Sequence, residues 1–119
     1  MNNSRAALMA ALLLVPAAHA ADSGAGKQVF ERYCANCHAP GVGHPGTQML
    51  GWLKGDKQAV LEQRTDLLPE YVTLVVRRGL AEMPPIRPSE INDAALANLV
   101  AYLTRNTPAK AGSSTKSRH

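Results

Sequence analysis

Aromatic side chains are scarce in this sequence: one Trp, one Phe and three Tyr among 119 residues. A folded part of about 85 residues with so little bulk makes a marginal core by itself. Cysteine is scarcer still, with two in the whole chain. A zinc site needs four ligands, and no second Cys pair exists to complete one. His44 and His119 are the remaining donors, and neither spacing fits a zinc-finger pattern. After the first twenty residues there is no long apolar run, so nothing reads as a membrane span. No internal repeat is visible, and no βαβ alternation of the kind that surrounds a thioredoxin-like Cys pair. A charge of one sign is also missing from the body of the chain. The formal net charge of +4 comes from Arg5 and from Lys110, Lys116 and Arg118 near the end. Between Ala21 and Asn106 nine basic residues face nine acidic ones. With no basic stripe and no interleaved aromatics, a nucleic-acid partner is not expected.

The first twenty residues have the form of a secretory signal peptide. Arg5 supplies the positive start, and Ala6 to Val15 an apolar stretch too short to span a bilayer. Ala18-His19-Ala20 is a small-x-small cleavage site. The expected mature chain begins at Ala21, and no membrane anchor is expected after cleavage. Residues 107–119, rich in Ser, Ala and Lys without apolar periodicity, read as a disordered basic tail. A single domain over residues 21–106 lies between.

Both cysteines fall in Cys34-Ala35-Asn36-Cys37-His38, the spacing of a c-type haem attachment site. Two thiols on one helical turn match the spacing of the two haem vinyl groups, and each would form a thioether. The histidine that follows carries an imidazole nitrogen suited to the iron. A structural disulfide or a dithiol redox pair are the competing uses of the same residues. Export permits a disulfide as readily as haem attachment, so compartment does not separate them. A covalently held macrocycle would also repair the shortage of core, because it offers a large apolar surface to pack around.

Helical patterns fill most of the rest. The first helix is expected from about Gly24 to Cys34, capped by Ser23, with Val29, Phe30 and Tyr33 at helical spacing. Gly26 is costly inside it and suggests close approach of another element. Residues 39–46, dense in Gly and Pro, read as a loop. A short helix over about Lys57 to Gln63, capped by Asp56, follows. Pro69 to Arg78 has Pro at the first position, Glu70 in the first turn, Arg77 and Arg78 in the last, and Gly79 as a stop. Leu80 to Ser89 is a loop stiffened by Pro84, Pro85 and Pro88. The last helix starts after the N-cap Asn92 and carries Leu96, Leu99, Val100 and Leu103 on one side. The fold class is therefore all-α, with about four helices and no strand.

A haem iron held by one histidine has a sixth position, and its occupant separates electron transfer from ligand chemistry. Met49, Met83, His44 and His119 are the candidates. Met83 precedes Pro84-Pro85, which disfavours helix at that residue and holds it in an extended, stiff segment. Its setting outside any periodic stripe argues against ordinary core filling. Met83 is accordingly the expected second metal ligand, with His38 the first. Met49 would reach only by a tight wrap around the ring.

With Cys34, Cys37, His38, the Met83-Pro84 loop and two terminal helices in place, the chain resembles the small class I cytochromes c over about residues 24–105. In that family a glycine and an aromatic of the first helix cross an aromatic of the last, and Gly26, Phe30 and Tyr102 stand at those places. Particular strings are similar to the cytochrome subunits of p-cresol methylhydroxylase and eugenol hydroxylase flavocytochromes. They are Cys37-His38-Ala39-Pro40-Gly41, Gly43-His44-Pro45-Gly46-Thr47, Glu62-Gln63-Arg64-Thr65-Asp66-Leu67, Pro69-Glu70-Tyr71-Val72 and Arg77-Arg78-Gly79-Leu80 leading into Glu82-Met83-Pro84-Pro85. Leu68 departs from the pattern, where a capping Ser or Thr is expected.

The resemblance implies one covalently attached haem c bound through Cys34, Cys37, His38 and Met83, and a location in the periplasm. It implies a separate FAD-containing subunit that oxidises a 4-alkylphenol and hands over single electrons, and a further acceptor downstream. The chain itself is then no enzyme. It further implies that a backbone carbonyl at Pro45 or His44 accepts the other ring N–H of His38. Trp52 is either a propionate donor or a packing residue, and Ala39, Pro40, Met49, Pro84, Pro85 and Ile86 an apolar rim for docking. A freely diffusing carrier and an open-site sensor or peroxidase are the alternative functions.

Overall fold

The computed structural model describes residues 20–109, in which five α-helices are α1 (Ser23–Tyr33), α2 (Ala35–His38), α3 (Pro45–Lys54), α4 (Pro69–Arg78) and α5 (Asp93–Leu103). Two single 3₁₀ turns, Asp56–Gln58 and Leu61–Gln63, lie between α3 and α4. No strand occurs among the described residues; the one β-type pairing is an isolated bridge between Leu80 and Met83. All but the last residue of the signal segment expected over residues 1–20, and most of the tail expected over 107–119, fall outside the described residues.

The crossing of α1 on α5 is the centre of the fold. Gly26 makes it possible: a Cβ there would lie 1.9 Å from the Asn98 carbonyl oxygen and 2.7 Å from Tyr102 Cβ. One turn on, Phe30 meets Tyr102 with ring centroids 6.0 Å apart and planes tilted by 53°, an arrangement aromatic pairs favour. Phe30, Ile91 and Leu99 are fully buried, and Leu67, Val72, Val76, Leu96 and Leu103 close around them. Val72 and Val76 put one face of α4 into this cluster.

The helix ends follow local chemistry, with one change from expectation. Asp22, not Ser23, caps α1; its side chain accepts from the Gly24 amide at 2.8 Å. Its own amide donates to Asn98 Oδ1 at 2.7 Å, so the cap is tied to α5 as well. Asn92 caps α5 by accepting from the Ala95 amide. Leu68 leaves α4 without a side-chain cap, and Pro69 occupies its first position.

Two stretches differ from the sequence reading. Residues 45–54 form a full helix, where Pro45 and Gly46 had ended an expected loop; Pro45 serves instead as a helix-starting proline. The helix expected over 57–63 is two separate 3₁₀ turns, and Asp56 lies within the first rather than capping a helix. The second turn is fastened to the end of α5. Arg105 and Asn106 donate to the Glu62 carbonyl at 2.9 and 3.0 Å, and Tyr102 donates its hydroxyl to the Glu62 carboxylate. Thr107, placed in the tail by sequence, donates to the Leu67 carbonyl at 3.0 Å.

Candidate functional site

The Cys34–His38 segment hangs directly from the end of α1. The Cys34 amide donates to Phe30 O, and the amides of Cys37 and His38 both return to Cys34 O, at 3.1 and 2.9 Å. One helical turn therefore holds both sulfurs and the imidazole, as the spacing implied. Both thiols are free. Cys34 belongs to the buried core, whereas Cys37 is exposed. Burial, with a smaller contribution from Cys37, pushes the Cys34 thiol up to about 11. Cys34 is thus protonated at neutral pH and is no ready thiolate for a dithiol redox cycle.

His38 is wedged against α3. A Cβ on Gly46 would lie 2.5 Å from His38 Cε1 and 2.7 Å from both His38 Nδ1 and the Cys37 carbonyl oxygen. Only a glycine lets the α3 backbone approach this edge of the ring. Burial lowers the His38 pKa, so the ring is neutral at pH 7 and able to donate a lone pair to a metal. Its Nδ1 is buried and has no hydrogen-bond partner. The carbonyl expected from Pro45 or His44 is not in place. His44 instead uses its own Nδ1 at 3.0 Å from the Asn36 carbonyl and ties the start of α3 to α2. Thr47, buried, donates to the Ala39 carbonyl at 2.8 Å and completes the attachment of α3 to the Cys34–His38 turn.

Gly46 continues along α3 as a stripe with Met49, Leu50 and Leu53, at positions i, i+3, i+4 and i+7. The stripe that begins against the His38 ring is apolar, yet Met49 is 45% and Leu53 65% exposed. On α4 and just beyond it, Tyr71, Leu74 and Leu80 are also large and exposed. A small domain seldom leaves this much apolar surface uncovered unless it receives something. Trp52, at 82% exposure, is not the packing residue that sequence suggested as one alternative.

Met83 stands in a tight turn after α4. Leu80 and Met83 exchange both backbone hydrogen bonds, at 3.0 and 2.9 Å. Gly79 has φ +73°, and a Cβ there would meet the Met83 carbonyl oxygen at 2.5 Å and Pro85 N at 2.9 Å. Ala81 takes the strained left-handed region at φ 51° to close the turn. Met83 is half-buried against the same cluster that contains Cys34. Met49, the rival, lies exposed on α3. A cleft of about 360 Å³ bounded by Leu68, Glu70, Thr104 and Thr107 contains none of the four candidate residues.

The residues fit a haem on three counts. The attachment turn is preformed, a neutral imidazole is held with its Nδ1–Cε1 edge in a glycine cradle so that Nε2 is left for a metal, and an apolar helix face beside it is bare. Sequence reasoning missed α3, the element that supplies the cradle; the signal available was Pro45 as a helix start followed by Met49, Leu50 and Leu53.

Residues 21–103 match the family described as cytochrome c oxidase, cbb3-type, subunit III. The chain is 38% identical over 96 residues to the 4-cresol dehydrogenase [hydroxylating] cytochrome c subunit of Pseudomonas putida, covering 77% of this chain and 72% of that one. It is 36% identical over 90 residues to cytochrome c6 of a Picosynechococcus species, covering 72% and 74%. No helix among the described residues is long and apolar enough to cross a membrane.

Proposed function

The chain belongs to the cytochrome c family and is an electron carrier rather than a catalyst, and from that premise we propose that it is the periplasmic cytochrome subunit of a flavocytochrome. In this reading it accepts single electrons from an FAD-containing subunit that oxidises a 4-alkylphenol and passes them to a further acceptor. One haem c would be held by thioethers from Cys34 and Cys37, and His38 and Met83 are the residues that would bind its iron. When bound, the haem supplies reversible one-electron chemistry between ferric and ferrous iron. The observation that supports the haem assignment is the His38 ring, neutral and walled on its Nδ1–Cε1 edge by Gly46. That leaves Nε2 as the nitrogen free to serve a metal.

The protein's own groups set what the centre does. The Met83 thioether is a neutral donor, which favours the less charged oxidation state and raises the potential. With a haem seated against them, the apolar faces of α3 and α4 would exclude water and act in the same direction. Met83 is held by backbone pairing with Leu80, which would limit the movement demanded of the chain when the charge on the centre changes. Ala39, Pro40, Met49, Pro84, Pro85 and Ile86 form the apolar rim at which a partner docks.

The choice of a flavoprotein partner rests on the 38% identity to the 4-cresol dehydrogenase subunit. A second reading, a freely diffusing carrier, draws on the near-equal identity to cytochrome c6, whose name carries no partner enzyme. The test is isolation of the chain from its native host at low salt. Co-elution with an FAD protein, and reduction of the ferric cytochrome when a 4-alkylphenol is added, support the subunit reading. Elution alone, with no reduction by any co-expressed phenol-oxidising flavoprotein, refutes it.

A further inference from the structure

Arg77 is the most heavily engaged cation among the described residues, and a complement to the end of α4 requires none of its contacts. Sequence assigns Arg77 and Arg78 the same role, as positive charges in the last turn of a helix. Their environments differ. Arg78 is exposed, whereas the Arg77 side chain is 20% exposed and its guanidinium leaves the helix end to cross the segment that joins α4 to α5. Nη1 donates to the Ile86 carbonyl at 3.2 Å and to the Ile91 carbonyl at 2.8 Å. Nη2 donates to Asp93 Oδ1 at 2.8 Å, in the first turn of α5.

These contacts converge on Met83. Ile86 is gripped from both sides, since its amide donates to the Val76 carbonyl at 2.8 Å while its carbonyl receives Arg77. Met83 is gripped at its other end by the paired bonds to Leu80. Only Pro84 and Pro85 separate the two grips, and proline has a fixed φ and little freedom to absorb a displacement. A shift of Ile86 is therefore transmitted to Met83. Ile91 is fully buried, and with Arg77 removed its carbonyl loses the donor that satisfies it.

We propose that Arg77 is a positioning residue that holds the Met83 segment closed, so that its guanidinium sets how often the methionine leaves the iron. The inference rests on the axial role given to Met83 above. Hydrogen bonds from a charged donor contribute enough that losing Arg77 should enlarge the open fraction about tenfold. An external ligand that competes for the sixth position binds in proportion to that fraction.

The experiment is imidazole titration of the ferric haem-loaded protein, with the weak far-red sulfur-to-iron absorption band as second readout. Arg77→Ala is expected to bind imidazole about tenfold more tightly than wild type and to show a weakened band. Arg77→Lys keeps charge without the planar fork, so it should fall between the two. Asp93→Asn, which spares both carbonyl contacts, should have a smaller effect than Arg77→Ala, and Arg78→Ala none. A residue that merely stabilises the fold would lower the urea midpoint and leave imidazole affinity unchanged. If Arg77→Ala does not mature with haem, Arg77→Lys and Arg77→Gln are judged by the same criterion. Affinities of the Arg77 variants within twofold of wild type overturn the proposal. The axial reading fails separately: in that case wild type lacks the far-red band and Met83→Ala leaves imidazole affinity unchanged.

Discussion

Replacing Gly26 by Ala separates two physical effects of opposite sign. Helix propensity alone favours the change, because Ala in a helix interior is better than Gly by about 1 kcal/mol. Packing opposes it. The new Cβ would sit 1.9 Å from Asn98 O and 2.6 Å from Asn98 C, atoms of the α5 backbone that cannot rotate away. The overlap is about 1.5 Å short of a van der Waals contact, so α1 and α5 must part. Parting their faces by about 1 Å over about 100 Å² leaves about 100 Å³ of void, which costs about 2.4 kcal/mol. Residual overpacking adds about 1 to 2 kcal/mol. Set against the propensity gain, the net loss is about 2 to 4 kcal/mol, a large part of the stability of a small domain. Urea unfolding of the haem-loaded protein followed by far-UV circular dichroism measures it. Gly51→Ala is the internal control. That glycine is also inside a helix, but its Cβ would lie 3.4 Å from Ala59 Cβ, an ordinary contact. It should gain about 0.5 to 1 kcal/mol. If Gly26→Ala is neutral or stabilising, the close helix crossing does not govern this position and the reasoning fails.

Three other substitutions probe the site and its support. Gly79→Ala forces a side chain into a left-handed conformation and against the Met83 carbonyl; it should cost about 1 to 3 kcal/mol and weaken the far-red methionine band of the ferric protein. Gly46→Ala drives a methyl into the His38 ring and the Cys37 carbonyl, so the yield of haem-loaded protein per unit of chain should fall, measured by haem stain against total protein. Tyr102→Phe removes the hydrogen bond to Glu62 and should cost about 1 kcal/mol near neutrality. Its pH dependence has a definite sign. Burial, and then the bond to Glu62, raise the Tyr102 pKa above 10.0, so the folded chain keeps that proton longer than the unfolded one. The stabilisation is complete below pH 10 and is lost as pH rises through the raised value. The gap between wild type and Tyr102→Phe in urea midpoint should therefore narrow above about pH 10; a constant gap would show that the hydroxyl does not titrate differently on folding.

Where the signals are local, sequence and structure agree. Asn92 and Pro69 mark the starts of α5 and α4, Gly79 the end of α4, and each acts within a turn of its own position. The close contact at Gly26 was legible because a glycine inside an apolar helix costs stability unless a neighbouring backbone needs the space. Helix α3 was hidden by its own first residues. Pro45 and Gly46 carry loop statistics, and although Pro45 is a local helix start, the use of Gly46 as a cradle depends on His38, eight residues earlier in the chain. Residues 57–63 show the converse: the helical pattern is split into two short turns at Val60, whose backbone is extended, and the second turn is fastened from outside by Arg105 and Asn106 at the Glu62 carbonyl. The role of Arg77 was out of reach for a similar reason. Its three acceptors lie nine to sixteen residues along the chain, and nothing in the string distinguishes it from Arg78.

The scarcity of aromatics and the bareness of α3 share one cause. Phe30, Ile91 and Leu99 give α1, α4 and α5 a core of their own, and the chain has little bulk left with which to cover anything else. Helix α3 is consequently held by polar contacts, through Thr47 to Ala39 and His44 to Asn36, while its apolar stripe remains uncovered. The Met83 segment is likewise held by backbone pairing and Arg77 rather than by deep burial. These two weakly buried elements carry the glycine cradle of His38 and the proposed second ligand. A macrocycle fixed between them would add the apolar contact each lacks, so the group that carries electrons would also complete the core. Stability and axial ligation are then one property: a change that loosens α3 or the Met83 segment weakens the fold and the hold on the iron together, whereas a change at the α1–α5 crossing acts first on the fold.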